Sequence, residues 1–203
     1  MKKFTDLSLE NYLNELASAE PVPGGGSVAA YAAALAMGLT QMVGRVSLKR
    51  KKKTGLAPAE EKKDDDRRNS IQKIVDGVEK AKRDAFKIVD TDPVAYEKVI
   101  QASGQPDKME SALQEAFQIQ AELGFLIIMA QRWNSQMKSL VSGSIKNDLL
   151  VADNLLKAAF EGAHHTAHIN IVYFKDIPAK QKAETTLAEL KSNYEKEQTH
   201  ADA

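Results

Sequence analysis

Apolar residues recur along most of the chain at the three- and four-residue spacing of amphipathic helices, and turn-forming residues separate these segments. The spacing predicts a short helix over residues 9–16, which begins after the N-capping residue Ser8. A second helix is predicted over residues 27–46, where small apolar residues occupy nearly every face. Because such a helix needs neighbours on all sides, we expect it at the centre of the core.

The later segments carry the same periodicity. Residues 71–89 predict a helix that Asp90–Pro93 interrupts, because the residue before a proline disfavours helical geometry. The charge-rich residues 49–69 are interpreted as a solvated loop or helix end. Further helices are predicted over residues 94–102, 108–140 and 148–172, and from Pro178 into the polar C-terminal segment.

The stretch Phe125–Met129 is apolar on every side and could form a buried strand by composition. Helical patterns on both sides favour a helix instead. The sequence therefore predicts an all-α fold, an up-and-down helical bundle with long central helices in a single domain over residues 1–203. Its apolar helices exceed what one small subunit covers, so we expect a homodimer.

Composition narrows the classes of partner and compartment. The 203 residues include 28 basic and 28 acidic side chains, and this balance gives no reason to expect nucleic acid or an anionic membrane as the main partner. The longest strongly apolar run, residues 123–130, is far shorter than the roughly 20 residues that span a bilayer, so no transmembrane segment is expected. With no cysteine and no apolar leader near the start, a cytoplasmic location is expected.

The strongest local motif is Pro-Val-Pro-Gly-Gly-Gly-Ser at residues 21–27, directly before the alanine-rich helix. Gly24, Gly25 and Gly26 let a ligand approach the main chain, and the helix start offers backbone N–H groups to a negative charge. Ser27 adds a hydroxyl. A tight turn capped by Ser27 is the structural alternative. A phosphate-binding P-loop fits poorly, because no Gly-Lys-Ser or Gly-Lys-Thr follows the glycines.

This motif and several others resemble the cyclodeaminase domain of the formiminotransferase-cyclodeaminase family and the related stand-alone methenyltetrahydrofolate cyclohydrolases. Lys51 and Lys52 fall in a similar lysine-rich cluster after the second helix. Asp92, with the Ala95–Val99 segment, resembles an Asp-x-x-Ala-Tyr-x-x-Val motif. The helix from Asp148 to Asn170 is also similar, so the resemblance spans nearly the whole chain.

The resemblance implies an enzyme of one-carbon tetrahydrofolate metabolism. A cyclodeaminase closes 5-formimidoyl-tetrahydrofolate into 5,10-methenyl-tetrahydrofolate with loss of ammonia, which is the preferred reading. A cyclohydrolase, which opens the methenyl ring with water, is the alternative. Both reactions need a proton shuttle and stabilisation of a cation, and neither implies a metal or redox cofactor. A homodimer with a site near the subunit interface and a formiminotransferase partner are also implied.

Three residues are candidates for proton transfer. Asp148, at a helix start, is the first candidate for proton shuttle or cation stabiliser, although it could simply cap the helix. Asp92 is a second carboxylate, although an Asp before a proline is often a turn residue. His168 could assist because its ordinary pKa lies near neutrality. The candidates for substrate binding are Gly24, Gly25, Gly26, Ser27, Asn170 and, for the glutamate carboxylates of a folate, Arg50, Lys51 and Lys52.

The sequence also suggests two other hypotheses, a metal site and a protein without catalytic activity. His164 and His168 stand at the i, i+4 spacing of zinc helices, but no glutamate lies between them, so a metal site is not expected. The segment before Asp148 and the pair His164–His165 depart from the family pattern. A non-catalytic helical interaction protein with the same fold is therefore the other alternative.

Overall fold

The computed structural model describes residues 3–52, 55 and 57–201, without the side chains of the last two of these. The chain opens on a short 3-10 turn at Phe4–Asp6. Six α-helices follow, and the part of the chain described contains no strand. They are α1 (Leu9–Leu16), α2 (Gly25–Lys49), α3 (Pro58–Gln101), α4 (Pro106–Leu140), α5 (Lys146–Val172) and α6 (Ile177–Ala201).

Four long helices form the core of the fold. Helix α2 packs between α3 and α5, and α4 packs between the same two helices on the opposite side, so the four close into a bundle. Helix α6 lies mainly against α4 and, less closely, against α5. Short connections join α3 to α4 and α4 to α5, as in an up-and-down arrangement. The predicted all-α bundle is confirmed, and Phe125–Met129 is helical as predicted.

Helix α2 is the central helix because its side chains are small. Ala30, Ala33 and Ala36 are fully buried, and alanine lets the axes of neighbouring helices approach closely. By length and hydropathy alone α2 could cross a membrane. However, 61% of its most apolar window is buried inside the domain, as expected for a core helix, and α2 is the one such candidate among the residues described.

Helix α3 differs from the prediction, because it runs unbroken through Pro93 for 44 residues. Proline lacks an N–H, so the carbonyl of Val89, four residues earlier, loses its helical hydrogen bond. The hydroxyl of Ser27 replaces it by donating to the Val89 carbonyl oxygen at 2.9 Å. The predicted break at Asp90–Pro93 and the separate helix at 94–102 are therefore wrong, because a contact distant in sequence satisfies the carbonyl.

The prediction for residues 49–69 is correct only in part. Helix α3 begins at Pro58, a favoured first residue because its missing N–H would have no helical partner. The charged residues after it are therefore helical. Arg67 donates to the Leu140 carbonyl at 3.2 Å, and this contact holds the start of α3 against the end of α4. The loop prediction for residues 53, 54 and 56 lies outside the described residues.

Candidate active site

The glycine segment places the first turn of α2 against the middle of α3. Gly24 is the N-cap of α2 and has no side chain to take a backbone N–H. The N–H of Ser27 instead donates to the carboxylate of Asp92 on α3. The Ser27 hydroxyl donates to the Val89 carbonyl oxygen, and the hydroxyl of Tyr12 lies 3.2 Å from the Ser27 hydroxyl. Ser27 therefore connects α1, α2 and α3 at one point.

Asp92 is the central polar residue of this region. Its Oδ1 accepts a hydrogen bond of 2.6 Å from the side-chain amide of Gln120 on α4. Burial raises the pKa of the Asp92 carboxyl above its ordinary value, and the hydrogen bonds from Gln120 and Ser27 oppose that rise only in part. A carboxyl group whose pKa is raised keeps its proton to higher pH than an exposed one, and perturbed carboxyl groups of this kind serve as general acids and bases.

Gly26 is required by the close approach of three helices. A Cβ at this position would lie 2.3 Å from Asp92 Oδ1 and 2.3 Å from Gln120 Nε2, so the two side chains could not keep their present positions unless the helix moved. At Gly25 the nearest atom to such a Cβ is Thr166 Oγ1, at 3.9 Å, so a methyl group has room. Of these two glycines, Gly26 is therefore the one that the polar pair requires.

Asp92 lies in a pocket of about 320 Å³ beside the glycine segment. The segment from Pro21 to Gly26 lines the pocket on one side. Asp92 is the one charged residue among its described lining residues. The other walls consist of Tyr96 and Val99 of α3, Leu113 and Ala116 of α4, and Thr166, Ile169 and Asn170 of α5 with Tyr173 beyond it. Tyr96 and Tyr173 are exposed, and their rings offer flat apolar surface to a ring-shaped ligand.

The structure brings part of the predicted site together. Asp92, the three glycines and Asn170 line one pocket. Ser27 does not line the pocket, but its backbone N–H donates to Asp92. His168 is exposed on α5 and is not among the residues that line the pocket, so its catalytic role stays a prediction.

Asp148 lies far from this pocket within one subunit. It is in the first turn of α5, whereas Asn170 is in the last turn. Twenty-two residues of helix separate them by about 33 Å at 1.5 Å per residue. One subunit therefore does not hold Asp148 and Asp92 around the same reacting atom, and the catalytic role of Asp148 also stays a prediction.

Arg50 and Lys51 line a second cleft, of about 590 Å³, at the opposite end of α2. The 25 residues of α2 separate this cleft from the glycine segment by about 36 Å. The cleft also contains Lys63, Arg67 and Arg68, against the carboxylates of Glu60 and Asp64. The hydroxyl of Ser47, in its wall, is buried without a hydrogen-bond partner among the described residues. The surplus of positive charge fits an anionic ligand.

Lys52 is not among the residues that line that cleft. Its Nζ lies 2.6 Å from Asp65 and 3.5 Å from Glu61, so two carboxylates already neutralise it. These contacts raise the pKa of Lys52, with the hydrogen bond to Asp65 as the main cause. Of the three basic residues predicted to bind substrate, the structure therefore places only Arg50 and Lys51 in the cleft.

The histidines of α5 do not join a wider group of acidic residues. Among the described residues, no cluster of three or more His, Asp or Glu side chains could hold a metal ion. His164 is half-buried, and its burial, followed by the charges of His165 and Lys191, lowers its pKa. Its ring packs near Phe160, whose own ring stacks on Tyr194 at 4.0 Å. These contacts describe a histidine at a helix-packing interface.

Sequence reasoning missed Gln120. A signal was present, because Leu113, Ala116, Leu123 and Ile127 form one buried stripe of α4, and Gln120 falls within it. A polar residue on an apolar stripe needs a buried partner. The sequence alone does not show that the partner is Asp92, which lies 28 residues earlier.

Fold and site together define an all-helical domain whose pocket combines a half-buried carboxylate with a glycine-rich helix start. The sequence profile described as formiminotransferase-cyclodeaminase matches residues 8–189, and the chain belongs to this family. It is 26% identical over 196 residues to formimidoyltransferase-cyclodeaminase from Mus musculus, and 24% identical over 193 residues to the protein of that name from Sus scrofa. These alignments cover 91% and 90% of the chain but 34% of each relative, so the chain spans about a third of their length.

A solved structure has the same fold. The crystal structure of formiminotetrahydrofolate cyclodeaminase from Thermotoga maritima superposes with a TM-score of 0.87 at 24% sequence identity. The match covers 98% of this chain and 96% of that one. The helical architecture is therefore shared over essentially the full length of both chains.

Proposed function

We propose that this protein is a formimidoyltetrahydrofolate cyclodeaminase, an enzyme of one-carbon tetrahydrofolate metabolism. The observation that carries the proposal is Asp92, a half-buried carboxylate with a raised pKa, held by Gln120 and Ser27 in a pocket beside the glycine segment. Membership of the family supplies the class of reaction. The pocket supplies a residue that can perform the proton transfer.

The proposed reaction exchanges one nitrogen for another on a single carbon atom and transfers one proton between those nitrogens. N10 of the folate attacks the carbon of the formimidoyl group on N5, whose nitrogen is protonated, and a tetrahedral carbon forms between N5 and N10. The Asp92 carboxylate removes the proton from N10 and returns it to the amino group. The bond from carbon to that group then breaks, ammonia leaves, and the methenyl cation remains. The only charged side chain among the described residues of the pocket is negative, as stabilisation of a cation requires.

This mechanism needs neither a metal ion nor a redox cofactor, and we propose that the enzyme uses none. Electrons stay paired in each step, and one carboxyl group supplies and removes the proton. We also propose a cytoplasmic location, and a formiminotransferase as the partner that provides the formimidoyl group. The names of the curated relatives join the two activities, and this chain spans only about a third of their length.

An absorbance assay near the methenyl-tetrahydrofolate band tests the proposal directly. The purified protein is given 5-formimidoyl-tetrahydrofolate in one cuvette and 5,10-methenyl-tetrahydrofolate in another. A rise in the first with stoichiometric ammonia is the expected result. An accelerated fall in the second alone would identify a cyclohydrolase instead. No change in either cuvette, with the protein folded by circular dichroism, would support the non-catalytic alternative.

We further propose that the protein is a homodimer that pairs through α2 and α5. Exposed apolar residues form a stripe along α2, at Val28, Leu35, Met42 and Val46. The adjacent helix α5 exposes Leu150, Val151, Ile169 and Val172. An apolar stripe along α2, together with apolar residues at both ends of α5, exceeds the scattered exposure of a monomer, and a second copy of the same surface would cover them.

An antiparallel pairing would also explain the distance between the predicted binding residues. In a symmetric pair whose two α2 helices run in opposite directions, the Arg50–Lys51 end of one copy lies beside the glycine segment of the other. The first turn of α5, which carries Asp148, would move towards the pocket in the same way. One folate could then place its reacting carbon at Asp92 and its glutamates at the second copy.

A charge in the proposed interface should separate the subunits. Leu35→Glu is expected to shift the mass measured by light scattering from twice the 22.3 kDa chain to the single chain, because a buried carboxylate would have no partner there. The control is Ile177→Glu, at a residue that is 67% exposed on α6. A wild-type protein that is monomeric at micromolar concentration would contradict the proposed dimer.

Removal of the cleft cations should weaken substrate binding selectively. The double variant Arg50→Ala, Lys51→Ala is expected to raise KM for a substrate with several glutamates by about tenfold with kcat unchanged, because charge-assisted contacts to carboxylates are lost. Lys52→Ala is the matched control, since Asp65 and Glu61 already occupy that side chain. An unchanged KM in the double variant would exclude the cleft from substrate binding.

A further inference from the structure

Gln120 is bonded at only one end of its amide. The side chain is 1% exposed, and its Nε2 donates to Asp92 Oδ1 at 2.6 Å. Its Oε1 is buried and has no hydrogen-bond partner within the described part of the chain. A buried acceptor without a partner costs about 1–3 kcal/mol. A residue that fills the same space without this cost would pack better, so the amide needs a reason to be present.

The two ends of a glutamine amide differ in hydrogen bonding and hardly at all in shape. The nitrogen is a donor, the oxygen is an acceptor, and rotation of the terminal torsion by half a turn exchanges them. The hydrogen bond to Asp92 orients the amide of Gln120 in this structure. Because Oε1 has no partner to lose, such a rotation breaks only the bond to Asp92.

We propose that Gln120 is a positioning residue whose amide donates to the Asp92 carboxylate and, after rotation by half a turn, accepts from the Asp92 carboxylic acid. Asp92 then keeps a hydrogen bond in the same place before and after it takes a proton. The inference rests on the proposed function in one respect, which is that the cyclodeaminase reaction is what protonates and deprotonates Asp92. It assigns to Gln120 the task of holding the proton shuttle still through both halves of the reaction.

The other groups around Asp92 cannot replace Gln120 in this role. The backbone N–H of Ser27 can only donate, so it binds an oxygen of the carboxylate and has no acceptor for an acidic proton. The titratable groups nearby are Tyr12 of α1, Tyr96 of α3 and Tyr173 after α5. Tyr12 is already bound to Ser27, and no basic side chain lines the described pocket. Gln120 is the neighbour of Asp92 whose hydrogen bond can reverse direction.

Nuclear magnetic resonance of the whole wild-type protein tests the reversal without substrate. Samples carry ¹³C in aspartate carboxyl groups and ¹⁵N in glutamine side chains, and Asp92→Asn and Gln120→Met assign the two signals. We expect the Gln120 amide resonances to move with the same pH midpoint as the Asp92 carboxyl carbon. Gln120 resonances that stay constant while Asp92 titrates would overturn the proposal.

The variant Gln120→Met tests the consequence for catalysis. Methionine has a similar shape but cannot donate, so the carboxylate of Asp92 loses stabilisation and its titration midpoint should move to higher pH. The acid limb of the pH profile of kcat should move in the same direction, and kcat at pH 7 should fall about tenfold. KM should stay within about twofold of the wild-type value, because Gln120 does not line the pocket. A merely structural role would lower stability and leave the pH profile in place.

The matched control is Gln118→Met on the same helix, where the exposed amide donates to Glu122 at 3.2 Å. It should leave the Asp92 midpoint and kcat unchanged. An Asp92 midpoint in Gln120→Met equal to the wild-type value would overturn the inference. Coupled titration of Asp92 and Gln120 without any turnover of folates would support the pairing and overturn only the proposed substrate. The two failures are therefore distinguishable.

Discussion

Replacement of Asp92 with asparagine is expected to abolish turnover and to stabilise the folded protein at neutral pH. Asparagine keeps an oxygen that can accept from Gln120 and from the Ser27 N–H, so the packing of the site is retained. It cannot exchange a proton, and general acid–base catalysis contributes about 100- to 10,000-fold, so kcat should fall at least about a hundredfold. Absorbance at the methenyl band measures the loss.

The gain in stability follows from the direction of the Asp92 pKa. Burial raises the pKa of the folded state above the ordinary value of 3.8, so the folded protein binds the proton more readily than the unfolded chain. This favourable contribution is complete below about pH 3.8 and is lost as pH rises through the folded pKa. Asparagine does not ionise. The difference in Tm between Asp92→Asn and wild type should therefore increase as pH rises from 4 to 7.

Asp84→Asn is the matched control for this prediction. Asp84 lies on α3 two turns before Asp92, but its partly exposed carboxylate pairs with Lys87 at the surface. The change should leave turnover unaltered and shift Tm only slightly, because surface ion pairs contribute about 0–1 kcal/mol. Wild-type kcat in Asp92→Asn would remove Asp92 from the chemistry. A Tm difference that is constant with pH would show that its burial does not perturb ionisation.

The second large effect is expected at Gly26. An alanine there would place its methyl group 2.3 Å from both Asp92 Oδ1 and Gln120 Nε2, so either these two side-chain ends shift or the start of α2 moves away from α3 and α4. Overpacking of this kind costs about 1–3 kcal/mol. Because the shift also separates the polar pair, kcat should fall to a level similar to that of Asp92→Asn. Urea unfolding and the absorbance assay measure the two effects.

Gly25→Ala provides the comparison within the same motif. A methyl group at Gly25 has Thr166 Oγ1 as its nearest neighbour, at 3.9 Å, so the helix start need not move. We expect a change in the free energy of unfolding of at most about 0.5 kcal/mol. Equal losses of stability in Gly25→Ala and Gly26→Ala would contradict this account. They would indicate that both glycines are needed for backbone conformation, and not that Gly26 is needed for its close contact with Asp92 and Gln120.

Local patterns in the sequence predicted the helices and the first half of the site. Apolar spacing located α1, α2, α4 and α5 within a few residues, because helix formation and amphipathicity depend on neighbours three and four positions apart. The glycine segment was found because prolines and glycines are rare elsewhere and change backbone freedom directly. Gln120 is also visible in the sequence as the polar residue within the otherwise apolar stripe of α4.

The errors of prediction have one physical cause. Asp90–Pro93 was predicted to end a helix, but the Ser27 hydroxyl satisfies the carbonyl that Pro93 leaves without a partner, across 62 residues of sequence. Asp148 and the cleft with Arg50 and Lys51 lie about 33–36 Å from the glycine segment in one subunit, so their place in one site with it stays a prediction that depends on a second subunit. The spacing of apolar residues indicates which face of a helix is buried. It does not indicate which residues from other helices lie at the same end of the bundle.

The sequence by itself determined that this chain folds into long helices, which faces of them are apolar, and where the backbone turns before α2. These properties follow from interactions between residues close together in the chain. Only the tertiary structure decided that Ser27, Asp92 and Gln120 meet, that a side chain at Gly26 would disturb this contact, and that burial raises the pKa of the Asp92 carboxyl. The pKa of Asp92 depends on the removal of water by three helices packed together, and no local pattern encodes that environment.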